Sequence, residues 1–120
     1  MIYGKLNSLA PFATQESWDN SGLLVGDPGA EVKTALVVLD ITAEAVREAR
    51  EIGAELIISH HPVIFHPLKK VESGSVVWEL AQAGISAICA HTNLDKARGG
   101  VNDCLAAALG LEHVTNYAVE

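Results

Sequence analysis

Short, almost wholly apolar runs alternate along this chain with longer segments in which apolar residues recur every three or four positions. The runs at 35–39, 56–58 and 85–90 are rich in Val, Ile, Leu and Ala, which predicts strands that are buried on both faces. The intervening segments predict helices, one capped by Thr42 and ended by Gly53, the other ended by Gly84. The segment 62–73 carries two prolines and predicts a long ordered loop.

Both ends of the chain extend this alternation. Apolar spacing predicts a helix over 2–10 before Pro11, and another over 101–109 after a pair of glycines. Turn-forming residues over 18–27 lead into a short apolar strand at 23–25. The order α-β-β-α-β-α-β-α predicts an α/β fold with a mainly parallel, mixed sheet flanked by helices, formed as a single domain over 1–120.

Composition narrows the functional classes. The chain is 49% hydrophobic and 19% charged, with a net charge of −7, so it suits a packed core and makes nucleic acid an unlikely partner. No apolar run is long enough for a membrane span, and the first residues lack a secretory signal, so a cytoplasmic protein without a membrane partner is expected. Cys89 and Cys104 are expected to be buried as small apolar residues.

Polar residues that can bind ligands or take part in catalysis stand directly after the predicted strands. Asp40 follows the first apolar run, His60 and His61 follow the second, and His91 follows the third. Because the carboxyl ends of parallel strands meet at one edge of a sheet, these side chains should gather there, where ligands commonly bind. Two adjacent histidines can serve one site only where a strand ends, and Pro62 restricts the backbone of the second.

Imidazoles beside a carboxylate are typical ligands of a divalent metal. Zinc or iron is expected first, with nickel, cobalt and manganese as alternatives. Asp95 could bridge two such ions, and a metal-bound water would then be the nucleophile of a hydrolysis. Spacing alone leaves a purely structural role for the histidines equally open, and His91 could be a ligand, a donor that orients a ligand, or a loop anchor. Asp40 could face the pocket or cap the helix together with Thr42.

Four separated strings carry a family resemblance. They are Trp18-Asp19-Asn20-Ser21-Gly22-Leu23-Leu24-Val25-Gly26, Ile58-Ser59-His60-His61-Pro62-Val63-Ile64-Phe65, His91-Thr92-Asn93-Leu94-Asp95 and Gly99-Gly100-Val101-Asn102-Asp103. In this order they resemble the NIF-three-like family, known as GTP cyclohydrolase I type 2 homologues. The match runs from about residue 2 to residue 113.

The resemblance implies a dinuclear metal site, a toroidal hexamer and one half of the NIF-three-like fold. It implies that His60, His61 and Asp95 are metal ligands. His91 matches a motif position beside the site, and with Asn93 and Asp40 it is expected to form a second shell or to contact substrate.

The chain departs from the family pattern in one respect. Family members draw their remaining ligands from a His-x-x-x-Glu motif in a second half, whereas His113 is followed four residues later by Tyr117. The sequence is therefore expected to be an N-terminal half with partial metal occupancy, which joins a homo-oligomer or a separate C-terminal half.

The expected function is that of a metal-dependent hydrolase of a nucleotide-like small molecule, with full activity requiring the missing half. The alternative is a non-enzymatic metal-binding or protein-interaction module with a regulatory role.

Overall fold

The computed structural model describes residues 1–116, and within them four strands form one mixed sheet. The strands are β1 (Gly22–Val25), β2 (Ala35–Val38), β3 (Leu56–Ser59) and β4 (Ser86–Cys89), and their spatial order is β1-β4-β3-β2. Strands β2, β3 and β4 run parallel, whereas β1 pairs antiparallel with β4. The predicted α/β class with a mainly parallel, mixed sheet is confirmed.

Helices connect and cover the strands. They are α1 (Ile2–Leu9), α2 (Ala43–Ile52), α3 (Val76–Ala83), α4 (Thr92–Lys96) and α5 (Val101–Ala108), and a single 3₁₀ turn spans Phe12–Thr14. The hydroxyl of Thr42 accepts the Ala45 amide hydrogen at 3.1 Å and so caps α2, while Gly53 ends it with a φ of 71°. These local signals are the ones from which the helix was predicted.

The two faces of the sheet are covered unequally. On one face, Ile57 and Ala87 pack with Val46 and Ala49 of α2 and Leu80 of α3 in the main core. On the other, Leu56 and Ile88 pack with Phe12, against which α1 places Ile2 and Leu6. That second face is open towards β2, where Val37 keeps 72% of its surface exposed.

Two features of the fold differ from the sequence analysis. The segment after β4 forms the short helix α4, which was not among the predicted elements, and Asp95 and Leu94 donate backbone hydrogen bonds to the carbonyl of His91. Cys89 is buried as expected, but Cys104 is exposed. Helix α5 lies against α4 and buries none of its residues, so its apolar stripe is uncovered. Tyr117 lies outside the described residues.

Across residues 1–116, no helix combines the length and the apolar character required to cross a bilayer.

Candidate metal centre

One edge of the sheet collects the candidate site residues because of strand direction. Asp40, His60 and His91 follow the carboxyl ends of the parallel strands β2, β3 and β4. Strand β1 runs the opposite way, with Gly22 paired to Cys89, so the loop that precedes β1 reaches the same edge. The site is therefore assembled from four separate segments of the chain.

Three imidazoles meet at this edge. One ring nitrogen from each of His60, His61 and His91 lies within 4.8 Å of the other two. The ring centroids are 5.2, 5.3 and 5.7 Å apart, with interplanar angles of 44°, 72° and 85° respectively. We call these three side chains the histidine cluster. Such proximity allows a single cation to reach all three rings.

Each ring of the histidine cluster is oriented by an oxygen atom at its Nδ1. The pairs are His60 Nδ1 with the Ala90 carbonyl at 2.8 Å, His61 Nδ1 with Asp40 Oδ1 at 2.7 Å, and His91 Nδ1 with Asp19 Oδ1 at 2.9 Å. A carbonyl or a carboxylate only accepts a hydrogen bond, so these partners favour the tautomer that carries the proton on Nδ1. The Nε2 lone pair of each imidazole is then available to a metal ion.

This donor set fits a divalent transition metal. Protein-bound histidines that ligate metals commonly donate their other ring hydrogen to a carboxylate or a backbone carbonyl, which fixes the ring and raises its basicity. All three rings of the cluster follow that arrangement. Imidazole nitrogen suits zinc, iron, nickel and cobalt, so the residues present match the metals expected from the sequence.

Asp95 adds a carboxylate beside the cluster. It lies on α4, which begins directly after His91, and its Oδ1 is 3.2 Å from Nε2 of His60. With the proton of His60 on Nδ1, this contact joins a lone pair to an anionic oxygen, and a shared cation would make it favourable. The side chains of His60 and Asp95 are 17% and 33% exposed, so the contact remains accessible from solvent.

Asp19 is the principal site residue that sequence reasoning missed. Its side chain is fully buried, and besides His91 it accepts hydrogen bonds from both the amide and the hydroxyl of Thr92 and from the amide of Asn20. Burial alone would raise the pKa of the Asp19 carboxyl, but the hydrogen bonds from Thr92, His91 and Asn20 outweigh it and hold that pKa well below its ordinary value. Asp19 is therefore a fixed anion behind His91.

The sequence contained one signal for Asp19. It stands within the Trp18-to-Gly26 string that carried the family resemblance. The antiparallel direction of β1, which brings this loop to the site, is not encoded in any local pattern. The loop was therefore interpreted only as a run of turn-forming residues.

The remaining predicted residues occupy distinct places. Asp40 contacts His61 and does not cap α2, because Thr42 alone provides that cap. Asn93 is fully buried, and its side chain accepts the His91 amide hydrogen and donates to the Ala10 carbonyl. It therefore supports the backbone of His91 from behind and, fully buried, presents no surface to a substrate.

The histidine cluster lies on an exposed rim of the protein. The side chains of His61 and Asp40 are 45% and 55% exposed. A separate open cleft of about 890 Å³ runs along the outer sheet face between Tyr3 and Val32, and no histidine lines it. The histidine cluster and this cleft are thus separate features of the described residues.

Comparison with known proteins identifies the family of this chain. A sequence model of the Duf34/NIF3 (NGG1p interacting factor 3) family matches residues 1–120. This chain belongs to the Duf34/NIF3 family. Within the family, a Staphylococcus aureus protein named GTP cyclohydrolase 1 type 2 homolog is 46% identical over 113 residues, which cover 92% of this chain and 31% of that protein.

Solved structures of the same family share the fold. The crystal structure of Staphylococcus aureus protein SA1388 is 43% identical with a TM-score of 0.88, and the match covers 93% of this chain and 33% of that one. A Bacillus cereus protein related to NIF3 is 40% identical with a TM-score of 0.88, over 93% of this chain and 32% of the other. The chain thus spans about a third of the length of these Duf34/NIF3 relatives.

Proposed function

We propose that this chain is the metal-binding part of a metal-dependent hydrolase that acts on a nucleotide-like small molecule in the cytoplasm. The observation that carries the proposal is the histidine cluster, in which every Nδ1 has an oxygen partner, an arrangement that favours a lone pair on each Nε2 for metal binding. The name of the 46% identical relative, GTP cyclohydrolase 1 type 2 homolog, supports a nucleotide-like substrate.

His60, His61 and Asp95 are the proposed ligands, and His91 is proposed either as a further ligand or as a group beside the metal. A divalent ion bound there would activate water for hydrolysis and stabilise negative charge on the substrate. Asp40 and Asp19 hold the rings of His61 and His91 in orientation. Asp95, beside His60 and partly exposed, has a second oxygen through which it could bridge to a second ion.

The proposed complete enzyme needs a further contribution to this site. Three or four protein ligands leave several coordination positions of two ions to solvent, so occupancy in this chain alone is expected to be partial. We propose that a homo-oligomer, a hexamer in the family, or a separate C-terminal half covers the exposed rim. Exposed apolar residues support association, among them Val37 at 72% and Leu109 at 66% exposure.

A non-enzymatic metal-binding module with an interaction or regulatory role is the second candidate. The open setting of the cluster favours it, since His61 is 45% exposed and the 890 Å³ cleft on the outer sheet face is lined by no histidine. Such a module would bind metal without turnover.

Zinc stoichiometry and ring opening of GTP test these two candidates. His61→Ala should weaken zinc affinity by at least about tenfold, because it removes one of three imidazoles. Less zinc should therefore remain bound after dialysis. His113→Asn is the matched control, since it removes an exposed imidazole at a φ of 56° with a residue that tolerates this conformation. Unchanged zinc in His61→Ala would refute the ligand assignment. Zinc binding without GTP ring opening, even after a C-terminal half is added, would favour the non-enzymatic module.

A further inference from the structure

Two exposed aromatic rings stand together on segments that adjoin the histidine cluster in the chain. Trp18 is 61% exposed and Phe65 is 40% exposed, and their ring centroids are 6.2 Å apart at an angle of 61°. Large aromatic side chains that share solvent-exposed surface are characteristic of binding sites. By contrast, the exposed ring of Tyr3 stacks on buried Phe12 and thereby anchors α1.

Both rings are carried by segments that also build the metal centre. Trp18 directly precedes Asp19, whose buried carboxylate accepts the hydrogen bond from His91. Phe65 lies four residues after His61 in the chain. The backbones that carry the rings are therefore fixed relative to the cluster.

The two segments are also joined to each other. The side-chain amide of Asn20 donates a 2.7 Å hydrogen bond to the Ile64 carbonyl, so the residue next to Phe65 is bonded to the loop of Trp18. His66 packs against Phe65 at 4.9 Å and 84°, which supports the Phe65 ring. The two rings are thus carried by segments that are hydrogen-bonded to each other.

We propose that Trp18 and Phe65 form an aromatic platform that stacks the planar heteroaromatic ring of the small molecule bound at the metal centre. The inference rests on the proposed function, because the metal centre would hold the polar part of the same molecule. Rings inclined at 61° offer one face for stacking and a second ring for an edge contact. Aromatic side chains stack on any nucleobase, so the platform selects for a planar ring rather than for one base.

Tryptophan fluorescence tests the platform directly. The chain has two tryptophans, and Trp78→Phe on α3 leaves Trp18 as the single reporter. Zinc-loaded Trp78→Phe protein is titrated with guanosine 5′-monophosphate and, as the ringless control, with ribose 5-phosphate. Excitation at the red edge of the tryptophan band avoids absorption by the nucleotide. We expect saturable quenching by the nucleotide and none by the sugar phosphate.

A second set of variants assigns the binding energy to the platform. Phe65→Ala in the Trp78→Phe background should weaken nucleotide binding about tenfold, whereas Phe65→Tyr should retain it, because only the former removes the ring. Equal effects of the two probes, or full affinity in Phe65→Ala, would overturn the inference. So would a shift of Trp18 emission that depends only on protein concentration, which would assign the rings to an interface between copies.

Zinc analysis of the same samples separates this inference from the proposed function. If the parent protein binds no zinc, the proposed function fails. The aromatic platform is then tested by the same nucleotide titration of the metal-free protein. If zinc binds but ring-specific quenching is absent, the aromatic platform fails and the metal centre stands.

Discussion

Replacing Asp19 with Asn probes the link between the buried anion and the proposed metal centre. The substitution preserves shape but exchanges one carboxylate oxygen for an amide that donates hydrogen bonds. Asp19 Oδ1 accepts from Nδ1 of His91 at 2.9 Å, and Oδ2 accepts from the Thr92 amide at 3.0 Å. Whichever way the Asn side chain is turned, its amide nitrogen meets a donor that the carboxylate satisfied.

The expected magnitudes follow from these contacts. Hydrogen bonds to a charged group contribute roughly 1.5–3 kcal/mol each, so with some bonds retained we expect Asp19→Asn to lower the free energy of unfolding by about 3 kcal/mol. If the amide faces His91, that ring must move its proton to Nε2, where it blocks coordination. Loss of such an outer partner weakens metal affinity by about 10–100-fold.

The pH dependence of the stability difference between the parent and Asp19→Asn provides an independent test, because the lowered pKa of Asp19 fixes its direction. The pKa of Asp19 is lowered in the folded chain, so its ionisation stabilises the fold above the pKa of the unfolded state. The stability difference between the parent and Asp19→Asn should remain constant from pH 7 down to about pH 4 and then shrink at lower pH. A difference that grew on acidification would contradict the account.

Denaturant unfolding at several pH values and competitive zinc titration measure these effects. Glu51→Gln is the control, because it removes the same charge from an exposed position on α2. Zinc affinity within twofold of the parent, together with unchanged stability, would refute the role of Asp19 as a fixed anion.

Four further changes test the site and the fold. Asp95→Asn should weaken zinc binding about tenfold or more in the same titration with little loss of stability, since it leaves the shape of the side chain intact; equal affinity would exclude Asp95 as a ligand. Gly26→Ala should lower the free energy of unfolding by about 2 kcal/mol or more, because Gly26 has a φ of +119° and an added Cβ would overlap both the side chain and the backbone of Ser86. Gly4→Ala, with open space around it in α1, should instead stabilise by about 0.5–1 kcal/mol. Leu80→Ala should cost about 2–5 kcal/mol as a cavity in the main core, and a loss below about 1 kcal/mol would show that this core can collapse around it.

Much of the fold could be predicted because its local signals are unambiguous. The apolar runs that became β2, β3 and β4 are short, β-rich and bounded by turn residues, and α2 carries both a Thr cap and a glycine end. Helix α4 was missed because five residues with little apolar periodicity do not differ from a turn in sequence. The exposure of Cys104 was missed because a pattern reveals an apolar face but not what covers it.

For the candidate site, parallel strand direction was the informative feature. It implied that His60, His61 and His91 would meet, and the structure brings them together. The oxygen partners of the imidazoles were harder to predict. The partner of His60 is the backbone carbonyl of Ala90, and Asp19 lies on the loop before the antiparallel strand β1. Asp40 could be placed at the correct edge, but its choice between the helix end and His61 depends on tertiary distances.

X-ray absorption at the zinc edge of the dialysed, zinc-loaded protein tests the central claim most directly. We expect retained zinc with a shell of nitrogen and oxygen at about 2.0–2.1 Å, with the scattering pattern of at least two imidazoles and no sulfur. Loss of all zinc on dialysis, or a sulfur shell near 2.3 Å from the exposed Cys104, would contradict a metal centre built on the histidine cluster.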